Sequence, residues 1–229
     1  MKKIIFSLFT IIFMGEYLFA QEINKLDENG KRTGVWRKHY PNKQLRYEGE
    51  FINGNEVGVF KFYTMSSSTH PLVIKTFIPD SKEVKVQFFS NSGVVESEGM
   101  MIAKKRVGRW VYYHRDGKTL MIEENYNNGL LSGEYKLYYK NLQITKLTHY
   151  KGGRQHGNCK QYTTAGILIE DINYVNGQLH GEAVYYETNG NVKQIGQYEE
   201  DLRVGIWEFY VDGKLTTSKE IKPLEKEEN

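Results

Sequence analysis

The stretch YVNGQLHGEAVYYETNG, residues 174–190, holds two turn signals around one strand-like segment. Asn176-Gly177 supplies two residues that accept positive φ, the strongest short hairpin signal. Gly190 closes the second turn. Between them GEAVYYET alternates around aromatic and β-branched side chains, as a half-buried strand does.

The phrase returns along the chain. Counting Gly181 as position zero, glycine recurs at Gly34, Gly58, Gly108, Gly133, Gly157 and Gly205. The steps are 24 or 25 residues, apart from a gap of 50 between Gly58 and Gly108. A degenerate unit fills that gap, with Val84 at the glycine position. Eight units result, and the first lacks much of its leading strand. Other columns keep the register. Two after zero stand Trp36, Phe60, Val86, Trp110, Tyr135, Cys159, Ala183 and Trp207. Five after zero stand Tyr63, Phe89, Tyr113, Tyr138, Tyr162, Tyr186 and Tyr210. A fixed period of this size means tandem structural units.

Each unit reads as two antiparallel strands and two turns. One hairpin cannot bury a face alone, and stacked neighbours share a continuous core. The expected fold is all-β: an open antiparallel meander of about eight ~24-residue hairpins, some sixteen strands in all. Alternation places positions zero, two and four on a buried face, and one, three and five on a half-wet face. The zero-position glycine is expected to allow close backbone approach beneath a neighbouring aromatic. A bulge is expected near Tyr138-Tyr139 and Tyr185-Tyr186.

YEGEFINGNEVG, residues 47–58, resembles the MORN repeat, with its Tyr-x-Gly-x-Trp/Phe-x-x-Gly-x-x-x-Gly pattern. NGLLSGEYKLYYKN and NGQLHGEAVYYETNG are closer to the bacterial variant of that repeat, and the likeness runs over residues ~29–221. The resemblance implies an open β-meander used for contact with proteins or membranes. Families of this type also carry the label antitoxin-like. The resemblance implies no chemistry by itself.

The ends differ from the array. Residues 1–20 have Lys2 and Lys3, an apolar run from Ile4 to Met14, and a small residue, Ala20, at a candidate cut. That is the form of a secretory signal, and it predicts export to a periplasmic or extracellular site. The repeat domain is then 21–221, and 222–229 is a charged tail. Removing residues 1–20 lowers the net charge from +3 to +2, a balance that does not suggest nucleic-acid binding. Cys159 is the only cysteine, which excludes an intramolecular disulfide.

No convergent chemistry emerges, and no catalytic, cofactor or metal residue is assigned. His156 and His180 lie two strands apart, about 10 Å, too far to share a zinc ion. Cys159 stands in the aromatic column as a small hydrophobe, facing away from His156. Glu123-Glu124 and Glu199-Glu200-Asp201 are read as solvated charges at strand ends and turns. One segment departs from the pattern. Residues 104–118 carry Lys104, Lys105, Arg106, Arg109, Arg115 and Lys118 against Asp116, a candidate contact for an acidic partner or anionic lipid. TMSSSTHP, residues 64–71, is a lengthened turn beside the degenerate unit. The tyrosine row, Tyr113, Tyr138, Tyr162, Tyr186 and Tyr210, is a candidate groove floor for a peptide, glycan or second chain. The reading is a non-enzymatic exported scaffold with an unidentified protein partner. Membrane or polysaccharide binding, and neutralisation of a toxin, are the alternatives.

Overall fold

The structure, a computed structural model, describes residues 22–222. The expected signal segment 1–20, and the tail beyond Lys222, lie outside the described residues. The first units contain β1 (Lys25–Leu26), β2 (Arg32–His39), β3 (Leu45–Ile52) and β4 (Asn55–Phe62). Then come β5 (Val73–Phe77), β6 (Glu83–Phe89), β7 (Val95–Ile102), β8 (Lys105–Tyr113) and β9 (Leu120–Asn127). The central units hold β10 (Leu130–Leu131), β11 (Gly133–Tyr138), β12 (Ile144–Lys151), β13 (Arg154–Tyr162) and β14 (Leu168–Val175). The last hold β15 (Gln178–Leu179), β16 (Gly181–Tyr186), β17 (Val192–Glu199), β18 (Leu202–Val211) and β19 (Lys214–Ile221).

Every pairing is antiparallel and joins neighbours in the chain, so the sheet is an unclosed meander running from β1 to β19. Ser132 and His180 interrupt single strands: β10 and β11 both pair with β9, and β15 and β16 both pair with β14. With those joined and the two-residue β1 set aside, sixteen strands remain, as the repeat predicts. The Asn-Gly turns have the expected positive φ at both residues, 51° and 83° at Asn53 and Gly54. Ala103-Lys104 and Glu200-Asp201 adopt the same turn without glycine.

The core is one residue thick. Phe60, Val86, Trp110, Cys159, Ala183 and Trp207, all from the position-two column, are buried on one face. Cys159 is fully buried, and burial pushes its thiol pKa up.

The zero-position glycines have a different reason from the one expected. Nothing lies within 4 Å of a Cβ added at Gly34, Gly58, Gly108 or Gly205, so no aromatic presses there. Each instead has positive φ, +61° at Gly108. At Gly58, Gly108 and Gly205 the strand also bulges. Glu98 faces Val111 and Met100 faces Val107, so four steps on β8 span two on β7. The same excess occurs between β3 and β4, β12 and β13, and β17 and β18. Glycine is the residue that turns such a bulge without strain. The degenerate unit supports this: β5 and β6 pair in unbroken register from Val73–Phe88 to Phe77–Val84, and there valine stands at zero.

Close approach belongs to other glycines. Gly49, Gly99 and Gly196 lie beneath the rings of Phe60, Trp110 and Trp207, where a Cβ would overlap ring atoms. These positions, nine before zero, trade volume with position two of the following strand. Glycine opposes a large ring, whereas Thr148 faces Cys159 and Ile172 lies in the same cluster as Ala183. Where the ring is large its close-packed neighbour has no side chain, and where the residue at position two is small a side chain fills the place of the missing ring. The bulge that expected near Tyr138 and Tyr186 lies at Leu137/Tyr138 and Tyr185/Tyr186, and it recurs at Tyr112/Tyr113, Gln161/Tyr162 and Phe209/Tyr210.

Candidate functional site

The tyrosine row is half-buried, and part of it is engaged within the sheet. Tyr113 donates to Glu98 Oε1 at 2.8 Å, Tyr138 to Glu123 Oε2 at 2.5 Å, and Tyr63 to Glu48 Oε1 at 3.2 Å. Each carboxylate also meets a cation: Lys85 reaches Glu98 at 2.9 Å, Arg109 pairs with Glu123, and Arg37 and Lys61 flank Glu48. Burial, then the bond to Glu98, pushes the Tyr113 phenol up to about 12. Burial opposes ionisation of Glu98, yet bonds from Lys85, Tyr113 and Gln87 outweigh it and hold its pKa below the ordinary value. Tyr210 donates to Glu208 on its own strand at 2.7 Å. Tyr162 and Tyr186 are also half-buried, and Tyr186 lies beside Glu187 and Lys193 in a shallow depression.

The six cations of 104–118 do not form one patch. Lys104 and Lys105 lie at one end of β8, Arg115 and Lys118 beyond the other, on the order of 25–30 Å away at the rise of a bulged strand. Arg109 is engaged by Glu123. Arg106 leaves the surface cluster altogether. Its guanidinium stacks 4.5 Å from the Trp110 ring centroid and donates to the hydroxyls of Tyr112 and Tyr126. Asp116 serves its own turn, accepting from the Lys118 and Thr119 backbones and the Thr119 hydroxyl, which lowers its pKa to about 2.

Glu123 and Glu124 correct the expectation of solvated charge. They sit inside β9, facing opposite sides of the sheet. Glu124 Oε2 accepts from the Tyr126 hydroxyl at 2.7 Å and stands 3.9 Å from Arg106. Glu200 and Asp201 do occupy a turn. His156 Nδ1 accepts from the Asn176 backbone at 3.4 Å, a turn contact. Among the described residues no three metal-capable side chains cluster.

A motif missed in the sequence ties these facts together. Arg-x-Gly-x-Trp occurs at 32–36, 106–110 and 203–207. In each copy the arginine stacks on the tryptophan, with centroid distances of 5.0, 4.5 and 4.0 Å. The central glycine has positive φ in all three copies, and at Gly108 and Gly205 the strand bulges between arginine and tryptophan. Each indole N–H donates to a backbone carbonyl, Lys25, Met100 or Gln197. The threefold recurrence of the pentapeptide was the available signal.

The degenerate third unit has no such stack. Val86 replaces tryptophan, and Lys82 stands where the motif has arginine. The result is an apolar groove of about 620 Å³. Val86 forms its floor, and Phe62, Phe77, Phe88 and Met101 line it. Lys75 enters from β5, with Nζ 5.0 Å from the Phe62 ring centroid, and Lys104 and Glu56 also border it.

This geometry is that of a tandem-hairpin repeat protein, and the family comparison points the same way. The MORN repeat variant family model matches residues 32–53, 155–176 and 179–200, so the chain carries MORN repeat variants at three places. The matched segments fall on the hairpins β2–β3, β13–β14 and β15–β17. No curated protein matches the chain. Among solved structures 43 chains match. One is the crystal structure of TcdB2-TccC3, at 12% identity and a TM-score of 0.23, with 86% of this chain aligned. The chain spans 14% of that protein's length, a likeness too slight to transfer fold or function.

Proposed function

We propose that the protein is a non-enzymatic exported scaffold that binds a protein partner, with β19 as the docking edge. The carrying observation is the difference between the two sheet ends. At the first, β1 pairs with β2, Asn24 N–H donates to Val35 O, and Asn24 Oδ1 accepts from Arg37 N–H, so the edge is capped. At the last, β19 pairs only with β18 among the described residues, and seven of its eight residues are exposed. An open edge offers unpaired backbone groups to an added strand. Exposed Leu215 on β19, at 54%, and Ile206 and Val211 on the adjoining β18, at 63% and 61%, supply apolar contact. Lys214, Lys219 and Glu220 limit indiscriminate pairing and select for complementary charge. The export element rests on the secretory form of residues 1–20.

A photoreactive side chain at Ser218, compared with one at Ser92 in a distant turn, tests the docking edge in cells. The expected result is one discrete protein adduct from Ser218, lost in Thr217→Pro. Equal adducts from both positions, or none from Ser218, reject it. Intact-mass measurement of the cell-derived protein tests export: loss of residues 1–20 is expected, and a full-length cytoplasmic product overturns it.

A further inference from the structure

We infer that the groove of the third unit binds a free amphiphilic anion, with a ring system or short alkyl chain as its body and a carboxylate- or sulfonate-type head. The site is separate from the β19 edge and does not depend on strand addition there. A volume of about 620 Å³ with apolar walls and few polar groups suits a small molecule. The occupant's body lies where the tryptophan units carry their own indole. There the position-two ring covers its neighbours and an arginine covers the ring; here Val86 leaves Phe62, Phe77, Phe88 and Met101 as facing walls. Val86 is 1% exposed, so the floor is too deep for a flat bilayer surface to reach, and an occupant must enter as a separate molecule.

Charge complementarity selects the head group. Lys75 and Lys104 border the groove against Glu56 alone. Neither lysine forms an ion pair among the described residues. Lys75 is half-buried over the Phe62 ring, and a cation held above apolar surface gains from an anion placed against it. Its position on β5 is the one where Gly49, Gly99 and Gly196 lie under rings in other units. A glycine there would serve a tryptophan; a lysine facing valine serves an anionic occupant.

The test uses the full chain and two probes of equal bulk, 8-anilinonaphthalene-1-sulfonate and the neutral N-phenyl-1-naphthylamine. Saturable one-to-one fluorescence enhancement is expected with both. Lys75→Met, which keeps the apolar stem, should weaken the sulfonate by about fivefold and leave the neutral probe within about twofold. Val86→Trp should abolish both, with Met101→Lys as the second groove variant should Val86→Trp fail to fold. Dodecanoate should displace the sulfonate probe, and phosphatidylglycerol vesicles should not. Absence of saturable binding, indifference to Lys75→Met and to both groove variants, or displacement by vesicles alone overturns the assignment.

Discussion

The third unit and the eighth are built on one plan and reach opposite ends. In the eighth, Gly205 turns a bulge, Arg203 folds over Trp207, and Gly196 makes room beneath the ring. The unit fills its own face. In the third, the strands pair without a bulge, valine and lysine replace tryptophan and glycine, and the face stays open. The lesson is that a repeat acquires a cavity by losing a filling element while its hairpin hydrogen bonds persist. The lengthened turn between β4 and β5 belongs to the same region, tied to the β2–β3 turn by Asn42 Nδ2 on Met65 O at 2.8 Å and by Ser68 on Gln44.

The sharpest way to break this comparison is to empty the eighth unit. Trp207→Ala removes a fully buried ring and should cost about 3–5 kcal/mol in urea denaturation. Val86→Ala, in the same column of the third unit, should cost about 1–2 kcal/mol. Equal losses would show that the third unit is packed as tightly as the eighth.

The two glycine roles separate next. Gly99→Ala puts a Cβ into the Trp110 ring and should cost about 1–3 kcal/mol. Gly108→Ala meets open space and should cost about 1–2 kcal/mol through backbone strain alone. Asparagine, which tolerates positive φ, should recover most of the loss at Gly108 and none at Gly99. Thermal melts of the four variants decide it, and recovery at both sites would merge the two roles.

On the opposite face, Tyr113→Phe should cost about 1–2 kcal/mol by removing the bond to Glu98. Glu98 has a native pKa below its unfolded value, so its contribution is complete above the ordinary carboxylate range. The contribution fades as pH falls through the lowered native value. Glu98→Gln should flatten that part of the stability profile, and an unchanged acid limb would remove Glu98 from the ladder. The smallest effect is expected at Lys104→Ala with Lys105→Ala, an exposed turn residue and the exposed first residue of β8, within about 0.5 kcal/mol of the parent.

The columns made the hairpins, their number, the buried face and the burial of Cys159 legible, because strand alternation and turn chemistry are local. The segment 104–118 misled because six cations close in sequence are distributed by an extended strand to both ends and both faces. Glu123-Glu124 misled for the same reason: adjacent residues inside β9 face opposite sides, and one enters the aromatic face. The groove was legible only as a unit that breaks the pattern.

The order of glycines, aromatics and turn formers by itself determined a tandem antiparallel meander with one buried face. Only the tertiary structure decided which glycines bend the chain and which lie under rings, where Arg106 spends its charge, and which unit is left open. The reason is that facing positions in adjacent strands lie from three to fifteen residues apart, and a two-residue bulge resets which of them meet. Periodicity reports the columns; volume and charge are balanced across them.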